Sequence, residues 1–183
     1  VLKKVQEALA SGVMANTLEF AEDDELFIKG MHLITRKPVI YIANVSEEDI
    51  MNDDWSSPIG ESRIAIPVSV KIESELVGLS DVEAKEFMLE LGLKESGLDK
   101  VIRAAYKTLG LITYFTSGET ETRAWTVKMG SKAPQAAGVI HTDFEKGFIR
   151  AEVIAYEDYI ACNGESGARD IGKLRIEGKE YAV

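Results

Sequence analysis

The chain has 183 residues, and at about 150 residues per domain this allows one large domain or two small ones with a buried core. Its 21 basic and 31 acidic side chains give a formal charge of −10. That charge argues against attraction of the whole surface to nucleic acid or anionic lipid, but leaves a local basic face open. With 45% apolar and 28% charged residues, the composition is that of a folded globular protein.

The single cysteine and the hydropathy pattern indicate a compartment. Cys162 has no second cysteine with which to form an internal disulfide, which favours a reducing cytosol. No apolar run approaches the roughly 18 residues of a membrane span, and the start lacks the features of a signal peptide. The chain begins at Val1 rather than Met and ends at Val183 within a strand pattern, so we expect it to be part of a longer protein.

The first 37 residues are predicted to form a helical, coiled-coil segment. Helical periodicity is weak over 2–9 and clearer over 23–36, with a break at Ser11-Gly12 and a stop at Pro38. The apolar residues near one face of the second helix are Leu26, Phe27, Met31 and Ile34.

Two short apolar runs follow, and both predict strands. Residues 39–43 form an unbroken run typical of a strand buried on both faces of an α/β sheet, ending at Asn44. Residues 64–70 form the second run, although Pro67 argues against a central position in the sheet. The connection has room for a loop and one short helix, close to the lower limit for a parallel crossover. Either this crossover is minimal or residues are missing from it.

The next segment predicts two helices with defined ends. Ser80 and Glu83 have the spacing of a capping box, and the helix that they begin should end at Gly92. A second helix is predicted from Ser96 to Leu109.

From residue 111 the pattern changes to the alternation of strands, which predicts a separate small β-rich domain over 111–183. The predicted strands are 111–116, 122–128 and 148–154, and a final hairpin over 174–183 turns at Gly178.

Two motifs that could carry chemistry are unpersuasive. Residues 167–174 fit the frame of a phosphate-binding loop, but Leu174 stands where a hydroxyl is needed and a strand follows where a helix should begin. The histidines, His32 and His141, are far apart and no nucleophile motif accompanies them. We interpret His32 as a packed or surface residue and His141, before Thr142-Asp143, as a structural hydrogen-bonding residue.

The informative pattern lies at the ends of the two predicted strands. Asn44 is followed three residues later by Glu47, and Ser69-Val70-Lys71 follows the second run. Ligands of open α/β sheets bind at the carboxyl ends of strands. An Asn followed by a carboxylate there is how P-loop GTPases recognise the base, with the Asn amide tying adjacent loops together. The alternative is a strand that simply ends in Asn and an acidic helix start.

Nearly the whole chain resembles the YchF or Obg-like ATPase family of Obg-type P-loop NTPases. The carriers are 37–47 (KPVIYIANVSE), 98–115 with 110–116 (GLITYFT), 123–126 (RAWT) and above all 130–153 (GSKAPQAAGVIHTDFEKGFIRAEV). The last stretch resembles the TGS domain, a β-grasp module also found in threonyl-tRNA synthetases and stringent-response enzymes.

The resemblance implies an α/β and α+β organisation in three parts. Residues 1–37 are the helical segment, 38–110 carry the C-terminal strands of the P-loop NTPase sheet, and 111–183 are the TGS domain. It also implies that the intact protein hydrolyses ATP, with GTP less favoured, with the base contacted by Asn44, Val45, Glu47, Ser69 and Val70. Glutamate is one methylene longer than the aspartate that chelates guanine, so the paired bonds to guanine lose their geometry.

The resemblance places the phosphate-binding loop, the magnesium ligands of ATP with Mg²⁺ and the catalytic residues outside this chain. We therefore expect no catalytic residue and no metal site here, and no activity of the 183 residues alone. The expected partners are ATP or GTP and the ribosome (large subunit) or RNA, with no membrane, for a cytoplasmic and monomeric protein.

Basic residues of the TGS part are the candidate RNA contacts, and ordinary solvated charges are the alternative. Residues 128–150 hold four basic and two acidic side chains, a net charge of +2, although 111–183 as a whole is at −2. A non-enzymatic ribosome-binding module is the second functional hypothesis. The candidate contacts are Lys128, Lys132, Lys146 and Arg150.

Overall fold

The computed structural model describes residues 1–52, 55–57, 59, 65–118 and 120–183. The chain divides into two compact units, Val1–Ala105 and Tyr106–Val183, and each is described by itself. The mixed α/β class expected from the sequence is confirmed. Among the described residues, no helix has the length and apolar character that crossing a bilayer requires.

Short helices open the first unit. Helix α1 spans Leu2–Ala10 and α2 spans Glu22–Gly30, and single 3-10 turns occur at Ala15–Thr17 and Ile34–Arg36. The helix predicted over 23–36 is therefore too long. Three residues form the small buried core of this segment, packed against by three partly buried ones. The core residues are Val5, Ala15 and Ile28, and their neighbours are Leu18, Phe20 and Leu33.

The face predicted for the second helix is not the one that packs. Leu26 is 71% exposed and Ile34 is 80% exposed, whereas Ile28 is fully buried. The helix ends because the chain takes a left-handed turn at His32, where φ is 50°. Beyond that turn Arg36 donates hydrogen bonds to the carbonyl oxygens of Ala15 (2.8 Å) and Leu18 (2.6 Å), which fixes the approach to the first strand.

The two predicted strands form a parallel pair. Strand β1 spans Tyr41–Asn44 and β2 spans Ala65–Val68, in a register that places Asn44 opposite Val68. The prediction that the first strand is buried on both faces is wrong, because its residues alternate between half-buried and exposed and Ile42 is 55% exposed. Within the described residues β1 has one neighbouring strand, so less of its surface is covered.

The predicted short helix in the connection is present as α3, Glu47–Ile50. Residues 53, 54, 58 and 60–64 of that connection, which include the predicted first residue of the second apolar run, lie outside the described residues. The second run is shorter than predicted, because β2 ends at Val68 and α4 begins at Val70.

Three helices follow β2. Helix α4 spans Val70–Leu76, α5 spans Asp81–Glu90 and α6 spans Gly97–Leu109. The predicted capping box is confirmed, because the Ser80 hydroxyl accepts from the Glu83 N–H while the Glu83 carboxylate accepts from the Ser80 N–H at 2.9 Å. The Ser80 hydroxyl also donates to the Glu83 carboxylate at 2.7 Å, and this bond, together with the one from the Ser80 N–H, lowers the pKa of Glu83 because both stabilise its charged form.

The start of α6 is held against the end of β2. The Glu73 carboxylate of α4 accepts hydrogen bonds from the N–H groups of Gly97 (2.7 Å) and Leu98 (3.3 Å). Gly97 is buried, and a Cβ atom there would lie 2.8 Å from Cγ1 of the buried Val68. The absence of a side chain at residue 97 thus allows α6 to approach β2 closely.

The second unit is built on a β-hairpin. Strands β3 (Leu111–Ser117) and β4 (Thr122–Lys128) pair antiparallel as predicted. Helix α7 spans Ala133–Ile140, and the Tyr114 hydroxyl of β3 donates to the Ala136 carbonyl oxygen at 2.7 Å. Partial burial raises the pKa of Tyr114.

Short elements complete this unit. They are α8 (Thr142–Lys146), β5 (Ala151–Val153), α9 (Tyr156–Ala161), α10 (Glu165–Asp170) and β6 (Arg175–Glu177). The predicted hairpin over 174–183 is wrong. Strand β6 pairs antiparallel with β5, and the chain beyond it reaches Ala182, which forms a bridge with Lys132.

Replacing Gly97 by alanine should destabilise the first unit by about 1–3 kcal/mol, because the added methyl group overlaps Val68 in a packed site. Urea unfolding followed by circular dichroism measures the change. Gly30→Ala is the matched control, since it makes the same change in a helix with nothing within 4 Å of the new Cβ atom. The packing argument fails if the two variants unfold at the same urea concentration.

Candidate functional site

The ends of β1 and β2 are tied together by two hydrogen bonds. The Val70 N–H donates to Asn44 Oδ1 at 3.4 Å, and the Val45 N–H donates to the Val68 carbonyl oxygen at 3.0 Å. The strands are parallel, so the first loop (residues 44–47, at the end of β1) and the second loop (residues 69–71, after β2) leave the same edge of the pair. The structure therefore brings Asn44, Val45 and Val70 together.

The bond to Val70 sets the orientation of the Asn44 amide. Oδ1 of the amide faces the second loop, so the Nδ2 group faces away from that loop. Nδ2 can donate two hydrogen bonds. The Asn44 side chain is exposed. An amide fixed in this way can offer a donor to a ligand that binds beside the strand ends.

Glu47 is positioned by the helix that it begins. Ser46 is the N-cap of α3, where its hydroxyl oxygen accepts from the Asp49 N–H at 3.1 Å and its O–H donates to Asp49 Oδ2 at 2.8 Å. Val45 is half-buried beside this turn. The first loop thus presents an amide, an apolar side chain and a carboxylate within four residues.

Glu47 forms an ion pair with Lys71, the second residue of α4. The hydrogen bond and the negative charge of Glu47 raise the pKa of Lys71. Sequence reasoning noted Lys71 but gave Glu47 no partner. The sequence signal for this pair is spacing, because each charge stands three residues beyond the last residue of a strand, Asn44 or Val68. The structure places those two residues opposite each other.

The other two predicted residues of the second loop have different environments. Ser69 is buried and its carbonyl oxygen accepts from the Glu73 N–H at 3.0 Å, while Val70 is 58% exposed. Glu73 also holds the start of α6, so the second loop is anchored on its helical side. Sequence reasoning did not identify Glu73, which carries no motif.

The basic residues of the second unit lie at the ends of different elements. Lys128 ends β4, Lys132 precedes α7, Lys146 ends α8 and Arg150 precedes β5, and all four are exposed. Lys132 forms an ion pair with Glu180, which lowers the pKa of that carboxyl group. In the described part of the chain, the other three have no ion pair with an acidic side chain.

His141 and the 167–174 frame, which the sequence did not support as catalytic or phosphate-binding motifs, lie at helix ends and connections. His141 is the N-cap of α8, and its Nδ1 accepts from the Asp143 N–H at 3.2 Å, as expected of a structural residue. The frame 167–174 runs from within α10 toward β6. Within 1–52, 55–57, 59, 65–118 and 120–183, no three His, Cys, Asp or Glu side chains are grouped to hold a metal ion.

Comparison with known proteins gives consistent relatives. Residues 111–183 match the family model described as "YchF-GTPase_C: Protein of unknown function (DUF933)". The chain is 49% identical over 191 residues to the "Ribosome-binding ATPase YchF" of Bacillus subtilis (strain 168), covering 100% of this chain and 52% of the relative. It is 46% identical over 188 residues to the protein of the same name from Escherichia coli O157:H7, with the same coverage.

A solved structure agrees. The chain matches "Structure of the Schizosaccharomyces pombe YchF GTPase" with a TM-score of 0.82 and 37% sequence identity, covering 99% of this chain and 50% of that one. The chain thus spans about half the length of the relatives that it matches. The resemblance to the YchF family seen in the sequence is confirmed by these matches, which together span the whole chain.

Proposed function

We propose that the protein containing this chain hydrolyses ATP, with GTP less favoured, and associates with the ribosome, and that this chain supplies the loops that contact the base. The hydrogen bond between Asn44 and Val70 carries the proposal, because it joins two loops at the ends of parallel strands and orients one amide outward. The printed names of the bacterial relatives, ribosome-binding ATPases, and of the yeast GTPase support it.

The loop chemistry suits a purine. The Asn44 Nδ2 group would donate to the ring nitrogen N7, an acceptor that adenine and guanine share. Val45 would lie against the flat face of the base, and Ser69-Val70 would close over its edge. Glu47 stands where a GTPase has the carboxylate that binds guanine, and its extra methylene makes the geometry of the paired bonds to guanine less favourable.

Phosphate and magnesium are assigned to the part of the protein outside this chain. The described residues offer no grouped set of carboxylate and imidazole ligands, and the 167–174 frame lacks the hydroxyl that a magnesium ion requires. No residue of this chain is proposed to act in hydrolysis. Bound Mg²⁺ would neutralise charge on the phosphates, as in other P-loop enzymes.

Residues 111–183 are proposed to be a β-grasp TGS domain. A helix packed on a β-hairpin through Tyr114 and Ala136 is consistent with that architecture. We also propose a division of the chain into 1–37, 38–110 and 111–183, with a coiled-coil first part. The protein is proposed to be monomeric and cytoplasmic.

A second candidate function is a ribosome- or RNA-binding module acting without hydrolysis through the second unit. It is favoured by Lys128, Lys146 and Arg150, which are exposed and have no acidic partner among the described residues. Such cations can contact phosphate groups without reading sequence. The large ribosomal subunit is the proposed partner, and both functions can belong to one protein.

The isolated 183 residues should bind ATP too weakly for detection at micromolar concentration, because phosphate and magnesium contacts supply most of the affinity for a nucleotide. Isothermal titration calorimetry with ATP and Mg²⁺ measures this. Micromolar binding, or hydrolysis by these residues alone, would place phosphate contacts within the chain and contradict the assignment.

In the intact protein, Glu47→Asp combined with Val45→Lys should shift the ratio of ATP to GTP affinity toward GTP by about tenfold or more. The shorter carboxylate and the lysine stem restore the pattern that binds guanine. Competition of ATP and GTP against a fluorescent nucleotide gives the ratio. Glu48→Asp is the control, since it makes the same change at the next residue of α3, and an unchanged ratio in the double variant would count against base recognition here.

Charge reversal at Lys128, Lys132, Lys146 and Arg150 should weaken ribosome binding by about tenfold or more and flatten its dependence on salt. Co-sedimentation with ribosomes at several salt concentrations measures both. Reversal at four exposed lysines of the first unit, Lys3, Lys29, Lys85 and Lys94, is the charge-matched control. Equal binding by the two quadruple variants would remove the basic surface as the contact.

A further inference from the structure

We infer that Lys71 is a specificity-determining residue, because its ion pair with Glu47 withholds that carboxylate from guanine and so favours adenine. This inference rests on the proposed base-binding function of the loops. It concerns the choice between two purines, whereas Asn44 would contact an atom that both share.

The ion pair joins two positioned side chains. Glu47 is the first residue of α3, whose start is capped by Ser46, and Lys71 lies in the first turn of α4. That turn is anchored because the Ser69 carbonyl oxygen accepts from the Glu73 N–H. The parallel register places the two charges at equal distances beyond Asn44 and Val68, so the backbone itself brings them together.

The ion pair can discriminate between guanine and adenine because the two bases present different groups at N1. Guanine presents two adjacent donors, the ring N1–H and the exocyclic amino group, which are best satisfied by the two oxygens of an unpaired carboxylate. Adenine presents a lone pair at N1, which an unpaired carboxylate would repel. When the Lys71 ammonium engages Glu47 Oε1, one acceptor is occupied and the charge is compensated. The attraction between guanine and the Glu47 carboxylate is then weaker, and so is the repulsion between that carboxylate and N1 of adenine.

The carboxylates near Lys71 favour its charged form. Glu47 raises the pKa of Lys71, and the carboxylate of Glu75 on α4 adds a smaller effect in the same direction. The Lys71 side chain is 68% exposed and that of Glu47 36% exposed, and such surface pairs contribute little to stability. Salt also screens them. Selectivity carried by this pair should therefore depend on ionic strength.

The test measures ATP and GTP dissociation constants of the intact protein by competition against a fluorescent nucleotide. Lys71→Met removes the charge and keeps the stem, and should shift the affinity ratio about tenfold toward GTP. Lys71→Arg should restore the ratio by re-forming the pair. Adding Glu47→Gln to Lys71→Met should abolish the shift, because no carboxylate is then released. Lys85→Met is the control for loss of an exposed charge.

Salt provides a second measurement that needs no variant. The ratio of the unmodified protein should move toward GTP as salt rises, and that of Lys71→Met should not. Asn44→Ala distinguishes failure of the proposed base binding from failure of the proposed role of Lys71. If it weakens both nucleotides while Lys71→Met and salt leave the ratio unchanged, the role of Lys71 is overturned and base binding stands. If Asn44→Ala changes neither affinity, base binding at these loops is overturned, and the role of Lys71 with it.

Discussion

The parallel pairing of β1 with β2, in the register that sets Asn44 opposite Val68, is the constraint on which the first unit depends. A parallel pair releases both chains at one edge, so whatever follows the two strands must meet there. The amide of Asn44, the N–H of Val70 and the opposite charges of Glu47 and Lys71 all follow from that placement. A slip of one residue would turn the side chains of one strand to the other face and separate the charges.

Contacts with neighbouring helices hold the two loops in place, in addition to the hydrogen bonds between the loops. On one side Ser46 caps the short helix α3, and on the other Glu73 bridges from α4 to the first N–H groups of α6. Four-residue helices have little stability of their own, so the cap and the strand pairing position Glu47. A site held in this way has exposed side chains on a backbone whose polar groups are engaged.

The sequence could predict the features that depend on neighbouring residues. The capping box of Ser80 and Glu83 and the end of α6 before Gly110, where φ is 62°, follow from local chemistry, and so does the cap at His141. The tie between the two loops was also predictable, because strand ends and polar stops are visible in the chain. The pairing of β6 with β5 was not, since Gly178 signals a turn but does not indicate which strand will be the partner. The burial of β1 depends on how many strands surround it, which no local pattern encodes.

Pro67 affects which edge of the β1–β2 pair can form hydrogen bonds with a further strand. Successive strand residues point their N–H groups to opposite edges, and Val68 faces β1 through its carbonyl oxygen. The Pro67 nitrogen therefore faces the far edge of β2, where it has no hydrogen to donate. A further strand laid along that edge would leave an acceptor unsatisfied. Pairing with a further strand is therefore less favourable at the far edge of β2, which also protects that edge from pairing with another chain.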